Sequence, residues 1–315
     1  YPLSITPHYF QLIESPGDPI WNQCVPQISE LSLDDLPEDS MNEAAFTPVP
    51  AVVHRYPDRA LLMISGRCAG YCRFCTRKSR VGTRGFVFSR DQINAGIQYI
   101  VRTPAIRDVV LTGGDPLLLD DGPLDNILKQ LRRIEHVEII RIGSRVPVTL
   151  PGRITEELCQ LLAKHHPVYL NTHFNHPREL AEESIKACAM LADCGINLGN
   201  QTVLLRGVND DHDVMIELCR GLLKARVRPY YLHHLDQAKG TSHFRVPVER
   251  GLAIIQAMRG HISGMGIPQY VVDPPGGEGK VPLSPSKIEG MGETLKVRTS
   301  SGLVELPNRP VKDVV

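Results

Sequence analysis

Three cysteines stand within eight residues of the chain, in the sequence CAGYCRFC. Cys68, Cys72 and Cys75 follow the spacing Cys-x3-Cys-x2-Cys. A structural zinc site needs four protein ligands, and His54, a candidate for the fourth, precedes the strand that leads into this segment. Three free thiols in one loop are a second interpretation. The third is a [4Fe–4S] cluster held by three thiolates, which leaves one iron open for an exogenous ligand.

Two glycines and an acid follow the next apolar segment, in the sequence LTGGDP. Gly113 and Gly114 would let the backbone approach a ligand closely, and Asp115 could accept a hydrogen bond from an ammonium group. The same residues are also typical of an ordinary turn. This motif alone does not distinguish a ligand site from a turn.

A lysine follows a loop rich in proline and glycine, in the sequence VVDPPGGEGK. Lys280 is either a solvated loop lysine, as most lysines are, or a lysine that forms a Schiff base with pyridoxal phosphate. The local sequence does not decide between the two.

Short apolar segments alternate with amphipathic helical segments from residue 60 onward. The strand candidates are 60–65, 108–113, 138–144, 168–174, 196–205, 228–236 and 268–273. The helix candidates lie around 93–100, 123–134, 155 onward, 179–193, 212–226 and 247–260. This alternation predicts βαβ units and a parallel sheet. Polar residues collect at the carboxyl ends of the strands, where barrels and open doubly wound sheets both place their sites.

The composition limits the classes of function. The sequence has 315 residues, enough for one large domain or two small ones, and 35 Lys and Arg balance 35 Asp and Glu. A net charge of zero gives no sign of a nucleic-acid partner, and no apolar run approaches the ~18 residues of a membrane span. Eight cysteines, three of them clustered and the rest scattered, make a disulfide framework improbable at this length, so we expect a cytoplasmic protein. No signal-peptide pattern is visible, and Tyr1 in place of Met leads us to expect a longer natural chain.

Three regions of the sequence differ in composition and hydrophobic pattern. We predict an N-terminal extension of short helices over residues 1–58, which are rich in proline and acidic residues. The βα series forms a core over 59–285, and 286–315 form a C-terminal extension. This last region contains one predicted hairpin, in the sequence ETLKVRTSSGLVEL.

These features together resemble the lysine 2,3-aminomutases, within the radical S-adenosylmethionine (radical SAM) superfamily. The resemblance covers most of residues 5–285, in the segments ITPHYFQLI, PVPAVVHRYPDRALLMISGRCAGYCRFCTRK, LTGGDPLLL, RIGSRVPVTLPGRIT, YLNTHFNHP, LGNQTVLLRGVND, VRPYYLHHLD, HFRVPVERG and VVDPPGGEGK. It implies an α/β fold, a partial (β/α)6-type TIM barrel of the radical SAM kind with N-terminal helical and C-terminal extensions.

The resemblance also implies roles for individual residues. The cluster ligands would be Cys68, Cys72 and Cys75, and S-adenosylmethionine would be bound by Gly113, Gly114 and Asp115. The adenosyl and pyridoxal pocket would be lined by Arg145, His173 and Gln201. The pyridoxal 5′-phosphate would be held by Arg55, Arg59 and the Schiff-base lysine, Lys280. The substrate would be bound by Arg77 at its carboxylate and by Asp236 and Asp273 at its distal ammonium.

Physical chemistry supports the aspartate pair as the feature that selects lysine. A buried ammonium is costly unless it is paired, and two aspartates would repel a negatively charged side chain. The pair therefore favours lysine, with arginine or ornithine as outside possibilities. The alternative is that either aspartate caps a loop or pairs with Arg245.

The implied activity is an isomerase that converts L-lysine to β-lysine (3,6-diaminohexanoate) by 2,3-amino migration. Its cofactors would be a [4Fe–4S] cluster, S-adenosylmethionine and pyridoxal phosphate. A reducing donor such as flavodoxin or ferredoxin would supply electrons. We expect a homo-oligomer in the cytoplasm, with a small amino-acid substrate and neither nucleic-acid nor membrane partners.

The chain departs from the family pattern in three places. It has no cysteine after Cys219, and Asp211 stands where the resemblance implies a cysteine, so we expect no structural zinc. His233 stands where a tyrosine is usual. Four alternatives remain: an aminomutase for another amino acid, one that serves lysine modification of elongation factor P, a radical SAM enzyme of other chemistry, and a zinc-binding module without catalysis.

Overall fold

The computed structural model describes residues 1–31, 36–284, 287–292, 294–299 and 302–307. Residues 1–282 form one compact unit, and the chain from 283 onward forms a second.

Nine strands of the first unit pair in the order of the sequence. They are β1 Val52–Tyr56, β2 Arg59–Ser65, β3 Asp108–Gly113, β4 Ile139–Gly143, β5 Val168–Thr172, β6 Asn197–Val203, β7 Arg228–His233, β8 Gln269–Val272 and β9 Val281–Pro282. Strands β2 to β8 are parallel, and β1 and β9 are antiparallel to their neighbours. Among the described residues no pairing joins β1 to β9, so the sheet stays open.

Nine α-helices accompany these strands in the described residues. They are α1 Pro7–Gln11, α2 Pro19–Cys24, α3 Arg90–Val101, α4 Asp121–Arg132, α5 Val146–Thr149, α6 Glu156–Ala163, α7 Glu182–Asp193, α8 His212–Lys224 and α9 Val248–Met258. Short 3₁₀ turns occupy Ile28–Leu31, Glu43–Phe46, Pro116–Leu118, Pro151–Arg153, Pro177–Glu179, Ser242–Phe244 and Gly264–Gly266. The predicted α/β fold, a partial barrel with parallel strands and helical crossovers, is confirmed.

The two faces of the sheet differ because side chains alternate along each strand. On β3 and β4 one set, exemplified by Leu111 and Ile142, is fully buried. The alternate set, exemplified by Thr112 and Arg141, lines a cavity. The outer, apolar face of the sheet therefore packs in the core, while the inner face carries the side chains that line the cavity.

The N-terminal segment contains short helices, as the sequence predicts. Thr6 and Asp18 cap α1 and α2 with their side chains, and each helix has proline at its first position. Strand β1 was not predicted. It follows a proline-rich stretch whose extended signal does not reveal a sheet partner, yet it pairs with β2. The predicted helical extension therefore ends in a strand of the main sheet.

The second unit is a three-stranded antiparallel sheet of β10 Ile288–Met291, β11 Thr294–Thr299 and β12 Gly302–Pro307. The predicted hairpin corresponds to β11 and β12, while β10 was not predicted. The predicted domain boundary after residue 285 lies outside the described residues. No helix in the described ranges has the length and apolar character needed to cross a bilayer.

Candidate active site

The inner face of the sheet lines a cavity of about 510 Å³. Seven strands of the sheet contribute side chains to it, together with the loops that follow β7 and β8. The predicted site residues on its wall are Arg55, Arg59, Arg77, Gln201, Asp236, Asp273 and Lys280. The fold thus brings together residues that are more than 200 positions apart in the sequence.

Asp273 lies between two cations on this wall. Its carboxylate accepts a hydrogen bond from Lys280 Nζ at 2.6 Å and another from Arg55 Nη2 at 3.3 Å. The side chain of Asp273 is only 2% exposed, so the carboxylate end of both ion pairs is shielded from water. The backbone N–H of Lys280 donates to the Tyr56 hydroxyl at 3.0 Å. These contacts hold the lysine on the wall of the cavity, with 30% of its side chain exposed.

Asp236 is the second carboxylate of the predicted pair. Its Oδ1 is buried and has no hydrogen-bond partner among the described residues. Burial, followed by the negative charge of Asp273, raises the pKa of Asp236 to about 7, against the opposing charges of Lys280 and Arg55. A buried acceptor without a partner is costly, so this oxygen is suited to a donor supplied by a ligand.

His233 is a neutral residue in the same cavity. Burial and the nearby Lys280 charge lower its pKa to about 3. Its ring packs edge-on against Tyr231, with centroids 5.4 Å apart. The imidazole therefore adds a polar surface without adding charge.

Arg55 and Arg59 both pack against the same aromatic ring. Their guanidinium carbons are 4.9 Å and 4.8 Å from the centroid of the Tyr56 ring. Arg59 also donates to its neighbour Asp58 at 2.8 Å. The ring holds the two cations together, which gives an arrangement suited to a phosphate group. Sequence reasoning missed Tyr56, although it stands between the two arginines in the motif HRYPDR.

Arg77 is held by an acid that sequence reasoning missed. Its Nε lies 3.0 Å from both carboxylate oxygens of Glu43, and its Nη2 also donates to Glu43. The remaining nitrogen, Nη1, makes two long bonds, to Thr112 Oγ1 at 3.4 Å and to the Gly113 carbonyl at 3.3 Å. The Nε and Nη2 edge of the guanidinium is therefore fully paired with Glu43, and Nη1 can still donate a hydrogen bond to a further acceptor.

The three cysteines follow β2 and line one small cavity of about 40 Å³. All three are free thiols, and burial raises the pKa of Cys68 and raises that of Cys75 to about 11. The described lining of this cavity adds no histidine or carboxylate to the three thiols. A structural zinc site needs four protein ligands, whereas three thiolates suffice for a cluster with one open iron.

The glycine pair of LTGGDP packs directly against the cysteine loop. A Cβ on Gly113, whose φ is +116°, would lie 2.3 Å from the Ser65 carbonyl oxygen. A Cβ on Gly114 would lie 2.3 Å from the Arg67 carbonyl oxygen. The N–H groups of Gly114 and Asp115 donate to these same carbonyls, at 2.6 Å and 2.7 Å. Only glycine permits the backbone at 113 and 114 to lie this close to the Ser65 and Arg67 carbonyls. The glycine pair therefore fixes the path of the chain that leads into the cysteine loop.

Asp115 connects the ends of two strands. Its carboxylate accepts from Ser144 Oγ and from the Arg145 N–H, both at 2.7 Å, and from the Leu117 N–H at 3.1 Å. Burial raises its pKa. The sequence suggested that this carboxylate could receive an ammonium group. In the structure its oxygens already bind protein donors, so its visible role is to position Ser144 and Arg145.

Arg145 links the cysteine loop to buried polar groups. Its Nη1 donates to Cys72 Sγ at 2.8 Å, and its Nη2 donates to Glu179 Oε1 at 2.6 Å. His173 lies beside it with a buried ring whose Nε2 has no hydrogen-bond partner, 5.4 Å from the Phe74 ring centroid. Burial, followed by the charge of Arg145, keeps the pKa of His173 well below its usual value.

A buried ion-pair network supports the cysteine loop from the N-terminal side. Glu30 accepts from Arg73 Nε at 2.9 Å and from Lys78 Nζ at 3.1 Å. Lys78 also donates to the carbonyls of Arg73 and Gly240, both at 2.8 Å. These contacts link the N-terminal segment to the loop, and local sequence patterns gave no signal of them.

The other predicted features also have positions in the structure. His54 lies on β1, where its Nδ1 is 2.8 Å from the Tyr99 hydroxyl, and it does not line the cysteine cavity. Asp211 caps α8 and lies near His212 and Asp213 in an exposed group. Asp273 pairs with Arg55 and Lys280 and, among the described ion pairs, not with Arg245.

Comparison with known proteins identifies the family. The model of the radical SAM superfamily matches residues 62–219, and a model described as lysine-2,3-aminomutase matches residues 255–302. An L-lysine 2,3-aminomutase of Fusobacterium nucleatum is 52% identical over 289 residues, covering 91% of this chain and 68% of that protein.

Two further relatives cover nearly the whole chain. An L-lysine 2,3-aminomutase of Clostridium subterminale is 49% identical, covering 98% of this chain and 75% of that protein. A glutamate 2,3-aminomutase of Clostridioides difficile is 43% identical, covering 99% and 75%. The chain therefore belongs to the lysine 2,3-aminomutase family of radical SAM enzymes, isomerases whose superfamily uses a [4Fe–4S] cluster and S-adenosylmethionine.

Proposed function

We propose that this protein converts L-lysine to β-lysine by moving the amino group from C2 to C3. The observation that carries the proposal is the pair of buried carboxylates, Asp236 and Asp273, on the wall of the 510 Å³ cavity. One of them has an oxygen without a partner, as a site for a ligand ammonium requires. Two carboxylates at this position would repel the side chain of glutamate.

The residues present fit the groups that such an enzyme uses. Cys68, Cys72 and Cys75 would hold the cluster, because they line one cavity whose described lining offers no fourth ligand for zinc. Lys280 would bind pyridoxal phosphate, with Arg55 and Arg59 at its phosphate. The proposal keeps Gly113, Gly114, Asp115, Arg145, His173 and Gln201 as the residues around S-adenosylmethionine and the pyridoxal ring.

The bound groups supply one-electron chemistry for breaking a C–H bond and a conjugated ring that carries the migrating nitrogen. The chain's own residues orient the substrate. Arg77 binds the α-carboxylate, and Asp236 binds the distal ammonium through Oδ1. Asp273, whose oxygens bind Lys280 and Arg55, adds negative charge beside that ammonium, so both ends of lysine are fixed. Asp236 must give up its proton when the ammonium arrives, because a neutral carboxyl group would not balance the charge.

Several finer features belong to the same proposal. A flavodoxin or ferredoxin would supply the electron, and the enzyme would act as a homo-oligomer in the cytoplasm. These expectations come from the sequence resemblance and remain predictions.

The proposal is tested by removing one carboxylate and measuring selectivity. Asp236→Asn keeps the shape of the side chain and removes its charge. Each charge-assisted hydrogen bond contributes about 1.5–3 kcal/mol. We therefore expect the kcat/KM for lysine, relative to 2-aminohexanoate, which lacks the distal amine, to fall about tenfold to a few hundredfold. Asp273→Asn should lower the ratio as well.

The matched control is Asp213→Asn, which removes an exposed carboxylate with 83% of its side chain accessible. It should leave the ratio unchanged. If the ratio stays constant in both cavity variants, the pair does not bind the distal ammonium, and the substrate assignment is wrong.

A further inference from the structure

We infer that Glu43 is a positioning residue for the substrate's α-carboxylate and that it acts through Arg77. The inference deepens the proposed function and rests on it only in requiring a substrate with an α-carboxylate. It gives the N-terminal segment a part in substrate recognition, since Glu43 lies outside the strands and loops of the βα series.

Glu43 determines which edge of the Arg77 guanidinium faces the cavity. It occupies Nε and Nη2, and Nε lies 3.0 Å from each carboxylate oxygen. Within the described part of the chain, Nη1 makes two long bonds only, to Thr112 and Gly113. Arg77, Glu43 and Thr112 all line the large cavity. A carboxylate entering the cavity can therefore bind at the Nη1 side without displacing Glu43.

Glu43 has a second cationic partner at the rim of the cluster. It accepts a hydrogen bond from Arg80 Nη2 at 2.7 Å, and Arg80 also lies 3.7 Å from Asp39. The side chains of Arg80 and Asp39 are about one third exposed, so solvent screens their interaction. The better buried pair, Arg77 and Glu43, is therefore the contact that orients the guanidinium.

The backbone holds Glu43 independently of its side chain. Asp39 accepts hydrogen bonds from the N–H groups of Glu43 and Ala44, both at 3.0 Å. The Glu43 carbonyl accepts from Thr47 Oγ1 at 2.7 Å. A substitution of the side chain therefore leaves the turn in place, and its effect reports on Arg77.

The competing interpretation is that Glu43 only fastens the N-terminal segment to the cysteine loop. The test uses Glu43→Gln, Arg77→Ala and the double variant, each loaded with its cofactors. Calorimetry without S-adenosylmethionine gives the Kd for lysine in the absence of turnover. The KM and kcat, the iron content, the pyridoxal absorbance and the denaturation midpoint are measured in parallel.

We expect Glu43→Gln to raise the Kd and KM for lysine about tenfold, because the charge-assisted pairing that orients Arg77 is lost. Iron content and pyridoxal absorbance should not change. In the Arg77→Ala background, Glu43→Gln should add almost nothing, since its effect passes through the missing guanidinium. The control, Glu38→Gln, makes the same change at an exposed carboxylate that pairs with Lys239 at 3.6 Å, and should leave the Kd unchanged.

Two results would overturn the inference. One is an unchanged or smaller Kd in Glu43→Gln, and the other is an equal, additive increase in the Arg77→Ala background. The same series with glutamate separates this inference from the proposed function. If the wild-type protein binds and converts glutamate instead of lysine, the substrate assignment fails, but a tenfold rise in the Kd for glutamate in Glu43→Gln would still support the role of Glu43.

Discussion

Asp236 and Lys280 carry the two most informative side-chain environments in the cavity. Asp236 is a buried carboxyl with one oxygen lacking a partner, and Lys280 is a lysine paired with a buried aspartate. The sequence placed both residues at the ends of late strands, and family resemblance supplied their roles. It could not supply their ionisation, because that depends on burial and on charges that the fold brings close.

The pH dependence of lysine binding is a prediction at this scale. The pKa of Asp236 is raised to about 7, so the carboxyl is protonated below that pH and cannot balance an ammonium charge. The Kd for lysine should therefore rise as the pH falls through 7. The facing groups are Asp273, Lys280, Arg55 and His233, and the pKa of His233, at about 3, lies outside the range.

The measurement is the Kd for lysine between pH 5.5 and 8.5, in wild type and in Asp236→Asn. The plot of the wild-type Kd against pH should bend near pH 7. The variant should bind lysine more weakly, and its Kd should show no bend. A bend that persists in the variant would assign the titration to another group.

Lys280 gives a second prediction. Lys280→Ala should abolish the pyridoxal absorbance that borohydride reduction fixes to the protein, because the nucleophilic amine is lost. Iron content should be unchanged, since Lys280 does not line the cysteine cavity. Lys239→Ala, which removes a half-exposed lysine, is the control and should retain the absorbance. If pyridoxal phosphate stays covalently bound without Lys280, the assignment is wrong.

The elements show which parts of the structure were accessible from the sequence. The seven parallel strands were predicted because each is a short apolar segment bounded by polar turns. Strand β1 was missed because its proline-rich flank resembles a wrapping segment. Glu43 and Arg77 are 34 positions apart, so their contact appears only once the N-terminal segment packs on the cysteine loop. The same reason hid Glu30, whose partner Arg73 is 43 positions away.

The anchoring of the cysteine loop gives a prediction at the scale of elements. Glu30→Ala would leave Arg73 and Lys78 buried without their counter-charge. Breaking a buried ion pair on one side costs about 3–5 kcal/mol, so the free energy of unfolding should fall by about that amount. The loop should also retain less iron on reconstitution.

Chemical denaturation and iron analysis measure the two effects. The control is Glu38→Ala, which removes one partner of an exposed pair with Lys239 at 3.6 Å and should change the free energy of unfolding by at most about 1 kcal/mol. Equal effects of the two substitutions would show that the Glu30 network does not anchor the loop.

One open sheet brings together candidate site residues from distant parts of the chain. The cysteine loop follows β2, the aspartates follow β7 and β8, and Lys280 precedes β9, and all three lie in the unit of residues 1–282. The N-terminal segment packs on the same loop, with the Ser4 carbonyl accepting from the Tyr71 N–H at 3.0 Å. One unit of the molecule thus holds both the cysteine loop and the cavity whose wall carries Asp236 and Asp273.

Product analysis tests this account most directly. The protein, reconstituted without oxygen and supplied with S-adenosylmethionine, pyridoxal phosphate and a reductant, is given equal amounts of L-lysine and L-glutamate. Chromatography and NMR then identify the 3-amino products. The two cavity aspartates predict that β-lysine forms and that glutamate is recovered unchanged. Formation of the 3-amino product from glutamate, with lysine untouched, would contradict the account.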